Sequence, residues 1–211
     1  MKKQKGNDRE IVKMFLILFL ILIIAFGTGY FIRSKARPKI LTEESNGFVF
    51  QKTEGTKFWY TSMLNPFTRQ EFNVDFRYSP SEVKNISVIG DPINFFRLLK
   101  QGNLTGAYIT FDLEGNVSYA TALTAADMSK LLKVMNGITL VAACTSNSSE
   151  VCHKRPIVTC ENQEDRAIVV YVKESIGSKI TMQRNCLTVE GDDEELVRAY
   201  TKLLFIWYSI I

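Results

Sequence analysis

Histidine occurs once in the 211 residues, at His153, and no two cysteines are spaced C-x-x-C. A single imidazole leaves no inventory for a histidine-dependent triad or a histidine-ligated metal. The missing C-x-x-C removes thioredoxin-like redox chemistry and zinc-knuckle spacing, so no metal site is expected. No glycine-rich phosphate loop follows an expected strand, and no motif implies a cofactor. Charge of one sign is also scarce: the net charge is +4, and the basic residues behind it flank one segment, with Lys2, Lys3, Lys5, Arg9 and Lys13 before it and Arg33, Lys35, Arg37 and Lys39 after it. The remainder is near neutral, without the clustered cations that phosphate neutralisation requires, so no nucleic-acid partner is expected.

Between those flanks lies Met14–Ile32, MFLILFLILIIAFGTGYFI, which carries no charge. A helix of this length covers roughly the 30 Å hydrocarbon core of a bilayer, and Lys13 at its edge can snorkel to the headgroups. The expected organisation is a short cytoplasmic tail over 1–10, a transmembrane signal-anchor helix over 11–32, a linker over 33–45 interrupted by Pro38, and one domain over 46–211. A cleaved signal peptide ending among Ala25, Gly27 and Gly29 is the alternative, but the apolar run continues through Tyr30, Phe31 and Ile32, longer than such segments need. Lys5-Gly6, then Glu10 and the apolar run, resembles the start of a type IV pilin precursor; the resemblance covers this segment alone and implies a filament subunit.

The two basic flanks are nearly balanced, so charge does not orient the span. The cysteines do better, because Cys144, Cys152, Cys160 and Cys186 all follow it. An even set points to disulfides and an oxidising compartment, and hence to a domain outside the cytoplasm of a single-pass protein in the cell membrane. Four cysteines allow three connectivities; the preferred one is Cys144–Cys152, closing the polar loop CTSNSSEVC, with Cys160–Cys186 tying it to a later strand. N-x-S/T sequons at Asn85, Asn103, Asn116 and Asn147 are candidate glycosylation sites on the same side.

Within the domain the pattern is α/β, a mixed α+β fold with a partly parallel sheet. GFVFQ and KFWYTSML form an expected hairpin, a turn follows at Asn65-Pro66, and Phe72, Val74, Phe76 and Tyr78 alternate with polar residues as a half-buried strand. Ile86–Ile89 is read as a short buried strand; Asp91 then caps a helix with Pro92 at its first position, ended by Gly102. Ala107–Phe111 is the next strand. Thr124 and Asp127 open a helix as a capping-box-like pair, with Met128, Leu131, Leu132 and Met135 on its apolar face and a stop at Asn136-Gly137. Ile138–Ala143 completes a β-α-β-α-β order suited to adjacent parallel strands. Ala167–Val172, Lys179–Gln183 and Cys186–Val189 are read as an antiparallel extension. A final helix begins at Asp192, with Asp193, Glu194 and Glu195 in its first turn favouring the positive end of its dipole.

Catalytic candidates are few. Asp112 and Glu114 follow an expected parallel strand and Asp91 follows the preceding one, at ends where α/β sheets place ligands. These carboxylates define a hydrolase alternative, against ordinary roles as helix cap and turn residues. The apolar C-terminal tip, with Trp207, Ile210 and Ile211, is expected to be buried; a partner contact there is the alternative. The leading functional expectation is a membrane-anchored binding or assembly module that meets another envelope protein, with the pilin-like subunit and the anchored hydrolase behind it.

Overall fold

A computed structural model describes residues 4–35, 38–65, 68–101, 104–111, 118–162 and 167–211, with side chains described from Val12 to Thr28 in the first of these segments. The chain divides into two compact units, Met1–Ile40 and Leu41–Ile211. The first holds α1, Gln4–Lys35, in which every described side chain is exposed. Among the described residues no helix is long and apolar enough to cross a membrane; the stretch from Val12 to Thr28 amounts to about 25 Å of helix.

The second unit is a mixed α+β domain. Its first layer is a four-stranded sheet in chain order, β1 (Ile40–Ser45), β2 (Phe48–Thr53), β3 (Trp59–Leu64) and β4 (Glu71–Phe76). β1 corrects the reading of 33–45 as linker throughout. Asn46 and Gly47 both take positive φ, +44° and +82°, the conformation of a tight two-residue hairpin turn that Asn-Gly adopts at little cost. The expected hairpin is β2 and β3, which pair antiparallel, as do β3 and β4. Alternation turns Phe50, Trp59, Met63, Val74 and Phe76 inward. Tyr78 lies beyond the end of β4, half-buried.

The second sheet has six strands in the order β5-β9-β10-β8-β6-β7: β5 (Ser87–Ile89), β6 (Gly106–Phe111), β7 (Val141–Cys144), β8 (Ala167–Glu174), β9 (Lys179–Gln183) and β10 (Cys186–Gly191). β6 pairs parallel with both β7 and β8, as the β-α-β order implies. β5 does not join them; it lies at the far edge beside β9, with Ile89 exposed rather than buried. The expected antiparallel extension is half right, because β10 runs antiparallel to β9 but inserts parallel to β8. β7 is an edge strand, and its far side is covered by the cysteine loop: Cys144 N–H donates to Pro156 O (3.0 Å) and Val158 N–H donates to Cys144 O (3.0 Å).

One helix of this domain, the last, packs against both sheets, and the other α-helices of the domain pack around it. α2 (Pro80–Val83) carries a capping box, Ser79 N–H donating to Glu82 Oε2 at 2.7 Å. α3 (Pro92–Lys100) begins as the sequence indicates, with Asn94 N–H donating to the Asp91 carboxylate at 2.9 Å; its C-cap is Gln101, and Gly102 lies outside the described residues. α4 (Tyr119–Asn136) starts a turn and a half before the expected Thr124–Asp127 pair. Ser118 is the cap, its hydroxyl accepting from Thr121 N–H at 3.1 Å, while Glu174 from β8 accepts from Ser118 N–H at 3.0 Å. α4 ends at Gly137, whose φ of +68° permits the left-handed cap.

α5 (Asp193–Trp207) is the central element. Asp192 stands at its N-cap without a side-chain bond, and its carbonyl accepts from Glu195 N–H at 2.8 Å. Phe205 meets Phe50 and Phe76 of the first sheet at centroid distances of 5.4 and 4.9 Å. Leu196, Leu203 and Leu204 share one core with Val170, Leu187 and Val189 of the second sheet. Both disulfides form with the preferred connectivity, Cys144–Cys152 and Cys160–Cys186.

Candidate functional site

The strand ends that precede the carboxylates singled out from sequence lie apart. β5 runs with β9, against β10, and therefore against β8 and β6. The ends of β5 and β6 that precede Asp91 and Asp112 thus point in opposite directions, with three strands between them, about 19 Å at the usual spacing. Asp91 is an exposed helix cap. Asp112 and Glu114 lie outside the described residues, as do the sequons at Asn103 and Asn116; Asn85 and Asn147 are exposed. The C-terminal tip divides: Trp207 and Ile210 are 4% and 0% exposed and present no surface to a partner, whereas Ile211 is 44% exposed. All four cysteines are consumed by disulfides, and His153 sits exposed on a short 3-10 helix, Cys152–Lys154.

A different place brings polar and apolar groups together. β4 is the last strand of its sheet among the described residues, and beside its outer edge α4 and α5 leave a cleft of about 270 Å³. Every residue from Phe72 to Arg77 lines it. Strand side chains alternate between faces, so six consecutive residues reach one cavity only if the strand meets it edge-on, with its backbone. The opposite wall is one stripe of α4, Leu123, Asp127, Lys130, Leu131 and Val134, and the floor is Val197, Tyr200, Thr201 and Leu204 of α5.

The electrostatics of this cleft are unusual for a packed interior. Burial pushes the Asp127 carboxyl above its ordinary range, Asp75 adds to that rise, and Arg77 and Lys130 oppose it. Neither cation closes an ion pair within 4 Å of either carboxylate, since among the described residues the ion pairs lie elsewhere; Arg77 instead stacks its guanidinium 5.1 Å from the centre of the Phe58 ring. Tyr200 is raised well above its usual value, by burial first and then by Asp127, Tyr208 and Asp75. The hydroxyls on the wall are those of Tyr200 and Thr201, and Thr201 already donates to Val197 O at 2.8 Å. Among the described residues no hydrogen bond joins Asp75 or Asp127 to either hydroxyl. The arrangement suits recognition: an apolar slot, a strand edge and two pairs of opposite charges.

A second concavity, broader at about 920 Å³, lies on the outer face of the six-stranded sheet around Tyr171, Thr188 and the Cys160–Cys186 bridge. Its central carboxylate is already satisfied, Glu190 taking Lys179 at 3.0 Å and Lys173 at 3.4 Å. Burial pushes that carboxyl up, but the two lysines outweigh it and hold it below its ordinary range.

Sequence reasoning missed the cleft because its walls are far apart in the chain. Phe72, Val74 and Phe76 read as core, correctly for the last two, and Asp127 read as half of a capping box. The signal within reach was Asp127 itself, a carboxylate between Thr124 and Met128, both buried on the same helix.

No family model matches the chain, and no curated protein or solved structure is found similar to it.

Proposed function

We propose that the chain is a single-pass membrane-anchored binding or assembly module, with α1 as its anchor, its domain outside the cytoplasm and the β4–α4 cleft as its ligand site. The observation that carries the reading is the cleft itself, where a partly buried carboxylate and a strand edge that no described residue pairs are kept open beside an apolar wall. Such groups oppose folding unless something uses them. The anchor rests on the apolar run Met14–Ile32, all of it within the 32 residues of α1. Apolar side chains exposed all round a helix, as from Met14 to Phe26, find their solvent in lipid rather than water. The outward orientation rests on the two disulfides, which persist in oxidising compartments.

The test places a photo-cross-linking side chain at Val134, half exposed on the cleft wall, or at Ile176, fully exposed in the turn between β8 and β9. In native membranes, adducts of discrete mass are expected from position 134 and not from position 176. The same background from both positions contradicts the reading.

A further inference from the structure

The cleft's shape specifies more than a small apolar ligand. We propose that it receives an extended segment of another polypeptide, which pairs with β4 as an additional strand of the N-terminal sheet and turns a basic side chain toward Asp75 and Asp127. This rests on the reading of the cleft as the binding site and names the partner class.

Three observations converge. First, β4 presents its edge to the cavity from Phe72 to its end at Phe76, and no described residue pairs with that edge. An unpaired edge offers alternate N–H and C=O groups at strand spacing, which another strand matches and a helix or a lipid chain does not. The fold covers one such edge elsewhere, where Pro156 and Val158 bond to β7.

Second, the facing wall has the right length. From Leu123 to Val134 the α4 stripe extends about 16 Å, the span of roughly five residues of strand. An extended segment lying between β4 and α4 would place alternate side chains against Leu131 and Val134.

Third, the slot holds two carboxylates that no described cation contacts. Arg77 lies on the Phe58 ring, and among the described residues neither it nor Lys130 comes within 4 Å of Asp75 or Asp127, although both act on Asp127 from further off; Asp75 is exposed and Asp127 partly buried. A lysine or arginine from the incoming segment would supply a close basic partner, in a setting where a charge pair is less screened than at an open surface.

The test uses the full chain in lipid nanodiscs and a displayed library of short random peptides. Selection is against the wild type, with counter-selection on Val134→Arg, a change at an exposed helical position that blocks the slot and leaves the core alone. The best enriched peptide is then synthesised and becomes the probe. Enriched sequences are expected to alternate apolar residues with lysine or arginine. Asp127→Asn should weaken the probe about tenfold, and N-methylation of one alternate set of its amides should do the same while methylation of the other set does little. Amides of β4 should gain protection from hydrogen exchange when the probe binds. Failure to enrich any peptide that depends on Val134 overturns the inference, and position-134 adducts in membranes would then still support a ligand of another class. Binding that ignores backbone methylation overturns strand pairing but keeps the cleft as the site. A stable dimer of this chain that Val134→Arg dissociates overturns it in favour of a second copy.

Discussion

The Trp207 indole lies flat on the Phe96 ring, with centroids 5.1 Å apart and 6° between the planes, and its Nε1–H donates to Pro92 O at 3.0 Å. The last turn of α5 is thereby locked to the first turn of α3. Trp207→Ala should cost the domain roughly 3–5 kcal/mol, the usual result of emptying a large buried aromatic site, and part of the cost is the Pro92 carbonyl left without its donor. Urea titration measures it. A loss below about 1 kcal/mol would mean the indole is not a core element.

The two disulfides should differ in worth. Cys144–Cys152 spans a sequence separation of 8 and Cys160–Cys186 one of 26, so the chain-entropy relation assigns about 2.6 and about 3.5 kcal/mol. Paired Cys→Ser variants, unfolded under non-reducing conditions, should show the longer closure as the more costly loss. The reverse order would place native-state packing, rather than loop closure, in control.

Glu174 links β8 to the start of α4. Hydrogen bonds from Ser118, then Thr121, hold its carboxyl below the ordinary value of 4.5, against a smaller push upward from burial. A depressed folded-state pKa stabilises the fold above the ordinary value, and that contribution disappears as pH falls through the folded value. The group is exposed, so the effect is small. Glu174→Gln should lower stability at neutral pH by about 0.5 kcal/mol and cease to matter in acid, as followed by thermal melts across the carboxylate range. A pH-independent difference would contradict the capping role.

Asp127 should behave in the opposite sense. Burial raises its carboxyl, so the folded state disfavours the charge, and the penalty is complete above the folded pKa and absent below the ordinary value of 3.8. Asp127→Asn should therefore stabilise the domain at neutral pH by up to about 0.5 kcal/mol, with the gain vanishing in acid. A residue retained for stability would give a loss at neutral pH instead.

Much of the fold was legible where the signal is local. Asp91-Pro92 announced the start of α3, Asn136-Gly137 stopped α4, two apolar, aromatic runs marked β2 and β3, and alternation revealed β4. Of the three possible disulfide pairings, the one preferred on loop closure and a tie to a later strand forms. What escaped depended on distant partners. β1 looks like linker because ILTEES is polar, yet Glu43 on it accepts from Ser81 N–H at 2.7 Å and Ser81 Oγ at 2.9 Å, fastening the strand to α2. α4 begins at Ser118 because Glu174, 56 residues away, completes its cap. Nothing local requires β10 to slip between β8 and β9, since the pattern of β10 is equally compatible with an outer position. The cleft is the same case: β4 and α4 each read as ordinary elements, and only their juxtaposition exposes an edge beside Asp127.

The central claim, a domain displayed outside the membrane on α1, is tested most directly by a membrane-impermeant amine reagent applied to intact cells that express the chain. Lys100, Lys133 and Lys154 are exposed on the domain and serve as reporters in peptide mapping. The account predicts that all three are modified before permeabilisation, to the extent seen after it. Modification that appears only once the membrane is opened would contradict the account.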